Sequence, residues 1–289
     1  MCGSPAVTRR RIACAAVLLL ALPAMALAQK HAKPPKSVRL YVFDCGSIKG
    51  LDPVTFHFKK EELAGVDFIV PCYLVAHPKG TLMWDVGVIP DSAFQADGAP
   101  VTERISTVTK PLLPQLAAIG YTPADITYLG LSHYHSDHTA NANAFAGSTW
   151  LVHQAERDVM FSDKPQGIIQ PANFSALKNS KTTILKEDDY DVFGDGTVII
   201  KYAPGHTPGH QMLFLKLAKT GPVLVAGDLY HYPEERHSDK TPTFEFNREQ
   251  SLASRAAVEE FLNKSKAQLW IEHDLATFNK LKKAPAFYE

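Results

Sequence analysis

The sequence predicts an α/β sandwich built as one domain. Three observations carry that expectation. From residue 38 onward, short apolar strands alternate with helical stretches. Two strand pairs read as hairpins whose outgoing strands each end on an aspartate, Asp85 and Asp228. Histidines and aspartates collect just past strand ends, where binding residues of α/β folds sit on loops held by a rigid sheet.

Each element has its own signal. Residues 38–43, Val38-Arg39-Leu40-Tyr41-Val42-Phe43, are strand-like, rich in β-branched and aromatic residues. Residues 68–76, a Lys79-Gly80 turn and residues 81–85 form the first hairpin. Residues 211–217, a Thr220-Gly221 turn and residues 222–226 form the second. The likeness between the two suggests two similar halves packed face to face, with chance resemblance of apolar hairpins as the competing account. Residues 102–119 read as helical, interrupted by Pro111 and Pro114. Strands are expected at 125–131, 197–202 and 268–272, and helices at 154–161 and 251–263.

The 289 residues are 45% hydrophobic and 21% charged, with zero formal net charge. That composition describes a globular chain with ample core and offers no basic excess for a nucleic-acid backbone.

The N-terminus reads as a secretory signal peptide over residues 1–28. Arg9, Arg10 and Arg11 precede an apolar run, and Ala26-Leu27-Ala28 is a small-x-small cleavage site. An uncleaved anchor is the alternative. Cleavage removes three arginines and no acid, leaving 27 basic against 30 acidic residues. The expected location is periplasmic or secreted, with no stable membrane association afterwards. Residues 29–37, rich in Lys and Pro, read as a flexible leader, and residues 38–289 as the single folded domain. The mature chain keeps Cys45 and Cys72, which in an oxidising compartment either pair or remain two buried thiols.

The chemistry concentrates in Ser132-His133-Tyr134-His135-Ser136-Asp137-His138. Three imidazoles and a carboxylate this close make a poor core and a good set of ligands for a borderline divalent ion. His133 and His135 are two apart in extended chain, so they share a side and can grip one ion. Asp137 and His138 lie where the chain turns and can serve a second. His206, Asp228 and His273 each follow a strand. With Asp228 shared, each ion receives four protein ligands. Surface histidines or a metal-sequestering tract are the bland alternatives.

The motif His133-x-His135-x-Asp137-His138, with His206, Asp228 and His273 in order, resembles the metallo-β-lactamase superfamily across nearly all of residues 38–275. The resemblance implies an αβ/βα four-layer sandwich with two divalent ions, zinc being the expected metal. It also implies that buried Asp85 orients ligands. Pro71-Cys72-Tyr73-Leu74-Val75 and Pro204-Gly205-His206-Thr207-Pro208-Gly209-His210-Gln211 look most like secreted N-acyl-homoserine lactonases. A small-molecule lactone is then the expected partner and quorum quenching the expected role, with a homodimer left open. Asp228 stands where β-lactamases of this fold usually carry Cys or Ser.

The implied reaction is hydrolysis by a metal-activated water on a polarised carbonyl, with Asp137 as the proton carrier. Lactonases of this type place a substrate-binding Tyr three residues after the bridging Asp. Here that slot is His231, with Tyr230 one residue earlier, so one of the two is expected to donate a hydrogen bond to the substrate. His210 reads as supporting rather than ligating. Phe56, Phe58 and Phe68 either close an apolar pocket or are ordinary core. Organophosphate or aryl ester hydrolase, β-lactamase, thioesterase and non-catalytic metal binder are the rival functions.

Overall fold

Strand β2 (Phe68–His77) is buried at every position, and its side chains alternate between two cores. Val70, Cys72, Leu74 and Ala76 enter one cluster; Ile69, Tyr73 and Val75 enter another. A strand apolar on both faces has to be covered on both, and that requirement generates the layers. The computed structural model describes residues 1–3, 32–165 and 167–289. Two units separate in the chain, Met1–Lys30 and His31–Glu289, and the fold below is that of the second. The signal-peptide expectation falls almost wholly outside the described residues.

The elements run β1 (Arg39–Ile48), β2, β3 (Gly80–Trp84), β4 (Val101–Glu103), β5 (Ser106–Val108), α1 (Leu112–Ala118), β6 (Tyr128–Gly130), α2 (Ser136–Thr139), β7 (Thr149–His153), α3 (Gln154–Met160) and β8 (Thr182–Leu185). The second half contains β9 (Asp189–Asp191), β10 (Val198–Tyr202), β11 (Gln211–Leu217), β12 (Gly221–Val225), α4 (Arg248–Ser265), β13 (Gln268–Trp270) and α5 (Leu275–Lys280). One sheet has the order β4-β5-β1-β2-β3-β6-β7-β8 and the other β13-β12-β11-β10-β9. Between them lies a core that takes Leu40, Val42 and Trp84 from the first sheet and Leu213, Leu215 and Val223 from the second. The outer face of the first sheet packs on α1 and α3 through Leu116 and Met160. The outer face of the second packs on α4 through Val258 and Leu262. This is the expected four-layer sandwich.

The two halves repeat one plan. The β2–β3 hairpin is antiparallel and β3 pairs parallel with β6; the β11–β12 hairpin is antiparallel and β12 pairs parallel with β13. Asp85 and Asp228 therefore follow equivalent strands, and His133 and His273 follow equivalent parallel neighbours.

Two expectations need correction. Residues 102–119 are not one helix: β4 and β5 form a hairpin, β5 pairs with β1, and only Leu112–Ala118 is helical. The β-branched residues Val101, Thr102, Thr107 and Val108 fit pleated backbone, and the prolines push the helix start past residue 111. The described part of the leader is tied down. Ala32 N–H donates to Gly120 O at 2.9 Å, Pro35 is buried, and Ser37 Oγ donates to Glu289. Cys45 and Cys72 form a disulfide joining β1 to β2. Among the described residues, no helix is long and apolar enough to cross a membrane.

Candidate metal centre

β3 delivers Asp85 in a left-handed conformation, φ +50°, fully buried. Its Oδ1 accepts from Ser132 N–H at 2.7 Å and its Oδ2 lies 2.9 Å from His138 Nδ1. One carboxylate thus fixes both ends of the histidine cluster. The second ligand loop, 204–210, leans on the start of α4. A Cβ at Gly205, φ +138°, would stand 2.2 Å from Ser251 N, so only glycine fits. His206 Nδ1 lies 3.1 Å from Glu245 Oε2. His273 follows β13, with Nδ1 2.8 Å from Ile69 O and its ring stacked on Phe68 at 4.4 Å.

The other six expected ligands gather around Asp228, four of them facing its carboxylate directly. Its Oδ2 lies 3.5 Å from His133 Nε2 and 3.4 Å from His206 Nε2. Its Oδ1 lies 3.2 Å from His138 Nε2 and 3.0 Å from His273 Nε2. His135 Nδ1 is 3.1 Å from His206 Nε2, and Asp137 Oδ2 is 3.6 Å from His273 Nε2. The donor atoms of His133, His135, His206 and Asp228 lie within 4.8 Å of one another, as do those of Asp137, His138 and His273. These are the two sets read from the sequence. Asp137, 13% exposed, is the most open of the seven.

The electrostatics suit cations. Burial alone would raise the Asp228 carboxyl, but the imidazoles of His273, His138 and His133 hold it well below the usual carboxylate range. Burial pushes His133 and His135 well below the ordinary imidazole value, leaving them neutral ligands. Four buried atoms of the cluster, the Nε2 of His133, His138 and His273 and Oδ1 of Asp228, have no hydrogen-bond partner. Unpaired polar atoms at this depth are costly. Divalent ions at the two foci would satisfy them, so the residues fit a dinuclear centre.

The surroundings add what the sequence did not reveal. Glu156 on α3 is buried and accepts from Tyr134 N–H at 2.7 Å, Gly209 N–H at 2.7 Å and Thr207 Oγ1 at 2.8 Å. It ties the first histidine loop to the second. Glu245 acts across 39 residues on His206. Neither carried a local signal. Glu235, four residues after His231, did. Of the loop pair, His231 alone reaches the centre, its Nε2 3.3 Å from Asp228 Oδ2. Tyr230 points away: its hydroxyl donates to Glu259 and its ring packs among α4 residues. His210 has both nitrogens committed, Nε2 accepting from Asp228 N–H and Nδ1 against Ala203 O, each at 2.9 Å. Phe56, Phe58, Phe68 and Tyr232 form a small core that also roofs the site, with Phe56 5.0 Å from the His231 ring. That packing is the ordinary-core account of the aromatics. Beside His273 opens a cleft of about 500 Å³, lined by apolar Val66, Tyr232 and Leu275 and by acidic Asp67, Glu234 and Asp274.

Two hairpin-plus-parallel-strand halves that gather seven candidate ligands past the ends of their strands define a class of α/β sandwich. A family description of the metallo-beta-lactamase superfamily matches residues 65–264, and the chain belongs to that superfamily. Among curated relatives, the N-acyl homoserine lactonase AttM of Azorhizobium caulinodans is 28% identical over 263 residues, spanning 87% of this chain and 99% of its own. An N-acyl homoserine lactonase from a Bacillus species is 30% identical over 73% of this chain and 83% of its own. The solved structure of an N-acyl homoserine lactone hydrolase, with its product N-hexanoyl-L-homoserine at the catalytic metal centre, superposes with a TM-score of 0.70 at 26% identity. It covers 87% of this chain and 99% of that one.

Proposed function

We propose that this chain is a dinuclear zinc hydrolase that opens the ring of N-acyl homoserine lactones, exported through its N-terminal signal and active in the periplasm or outside the cell. The observation that carries the reading is Asp228, one carboxylate oxygen facing each ligand set. The names of the relatives supply the substrate class. Divalent ions held there supply a nucleophile from water at neutral pH and polarise a carbonyl oxygen.

The chain's own residues do the rest. The roof of Phe56, Phe68 and Tyr232 excludes bulk water from one side of the centre. Asp137, the open ligand, holds the proton that the departing ring alkoxide needs when the acyl C–O bond breaks. One water is consumed, and the product is a hydroxy acid that releases one proton to buffer near neutral pH. The cleft beside His273 suits a neutral lactone. Its Asp67, Glu234 and Asp274 would repel the carboxylate of a β-lactam or an anionic thioester.

A pH-stat panel of hexanoyl- and decanoyl-homoserine lactone, a β-lactam, a phosphotriester and an anionic thioester tests this. Lactone turnover should exceed the others by at least about 10². Efficient turnover of another class with lactones inert would overturn the assignment.

A further inference from the structure

We propose that His231 is itself a metal ligand, completing the coordination of the ion held by His133, His135 and His206. The inference rests on the metal-centre reading and is independent of which substrate is cleaved.

Distance is the first argument. Donor atoms that share one zinc ion at bonds of about 2.0–2.1 Å lie about 3 Å or slightly more apart, and His231 would be the fifth protein ligand beside His133, His135, His206 and Asp228 in a five-coordinate site. His133 Nε2 and His206 Nε2 lie 3.5 and 3.4 Å from Asp228 Oδ2; His231 Nε2 lies 3.3 Å from the same oxygen. The His231 ring stands 4.9 Å from the His206 ring, against 4.7 Å for His135 and 4.8 Å for His133. It is farther from His273, at 6.0 Å, which places it on the first ion's side.

Availability is the second. His231 is 1% exposed, and both its ring nitrogens lack hydrogen-bond partners. Its Nε2 faces Asp228 Oδ2 at 3.3 Å, an ion-pair distance. His210, equally buried nearby, has no lone pair to offer because both its nitrogens are engaged.

Support is the third. A ligating histidine normally presents its second nitrogen to a carboxylate or carbonyl that fixes the ring. His138 has Asp85, His206 has Glu245 and His273 has Ile69 O. His231 has Glu235, whose unpartnered Oε1 lies 3.5 Å from Nδ1. The other oxygen of Glu235 accepts from His231 N–H and from Arg255, which also donates to Leu229 O. The loop after Asp228 is thereby clamped to α4 with the imidazole facing inward. A substrate donor would have no need to face the bridging carboxylate.

Cobalt substitution provides the test. In the Co2+-loaded protein, each coordinated imidazole contributes one hyperfine-shifted, solvent-exchangeable ring N–H resonance. The two ligand sets contain five imidazoles, and His231 adds a sixth. Six such resonances are expected in the wild type and five in His231→Ala. The variant should also bind one of its two Co2+ ions at least about tenfold more weakly against a chelator. Glu235→Gln should keep six resonances but shift one and weaken the same ion. Five resonances in the wild type would overturn the proposal even if the variant did not fold. So would a folded His231→Ala with unchanged Co2+ affinity and spectrum, which would leave His231 as a substrate donor or a packing residue. Failure of the wild type to bind two ions would instead strike at the metal-centre reading.

Discussion

His153 shows what burial does to one residue. It ends β7 with its ring 4.1 Å from Tyr202, and burial, weakly opposed by Asp188, lowers its pKa to about 4. The folded value lies below the ordinary 6.5, so the unfolded chain binds more protons between the two. Its contribution to stability is complete above pH 6.5 and is lost as pH falls towards 4. A His153→Phe variant keeps the ring contact and cannot titrate. Urea unfolding of both proteins at pH 7 and pH 5 should show the wild type losing on the order of 1 kcal/mol more than the variant. Parallel losses would mean the ring is solvated in solution. The sequence marks His153 only as a histidine at a strand end; its lowered pKa comes from burial in the fold, where its ring lies against Tyr202, 49 positions away on β10.

At the scale of elements, α3 is a short helix whose one buried acid joins two loops. Burial raises Glu156 to about 7, while Thr207, Gly209 and Tyr134 oppose that by donating to it. Truncation to alanine strands those donors in a buried place. Glu156→Ala should cost roughly 3 kcal/mol or more in urea unfolding, since each orphaned buried donor costs about 1–3 kcal/mol. It should also release metal to a chelator faster, because His133, His135 and His206 sit on the loops it joins. Wild-type stability and metal retention would show that the loops hold without it. The β4–β5 hairpin gives the converse lesson. Its β-branched residues pointed to strand, yet a weak helical periodicity reads across them, because pairing with β1 is a long-range contact that local pattern does not record.

At the scale of the whole chain, Cys45 and Cys72 close a loop with a sequence separation of 27. Chain-entropy arguments put the stabilisation from a loop of that size at about 3–4 kcal/mol. Such a bond persists in oxidising compartments, which supports export. Protein recovered from a secreting bacterial host should begin at Gln29 and contain this disulfide. Cys45→Ser with Cys72→Ser should lower stability by about 2–4 kcal/mol. A mature protein starting at Met1 with two free thiols would refute both expectations.

The sequence by itself determined the α/β class, the two hairpins and which seven histidines and aspartates would be brought together as a candidate metal centre. It could do so because ligand chemistry belongs to the side chain, and because strand ends are marked locally by where apolar runs stop. The tertiary structure decided how those ligands are aimed. Glu156 and Glu245 look like ordinary helix or loop acids until folding brings them against Tyr134 and His206. The opposite orientations of Tyr230 and His231 were likewise set by α4, whose Arg255 clamps the loop while Glu259 takes the tyrosine hydroxyl. Orientation is a long-range property, set when distant segments compete for the same buried hydrogen bonds, and no local stretch of sequence contains it.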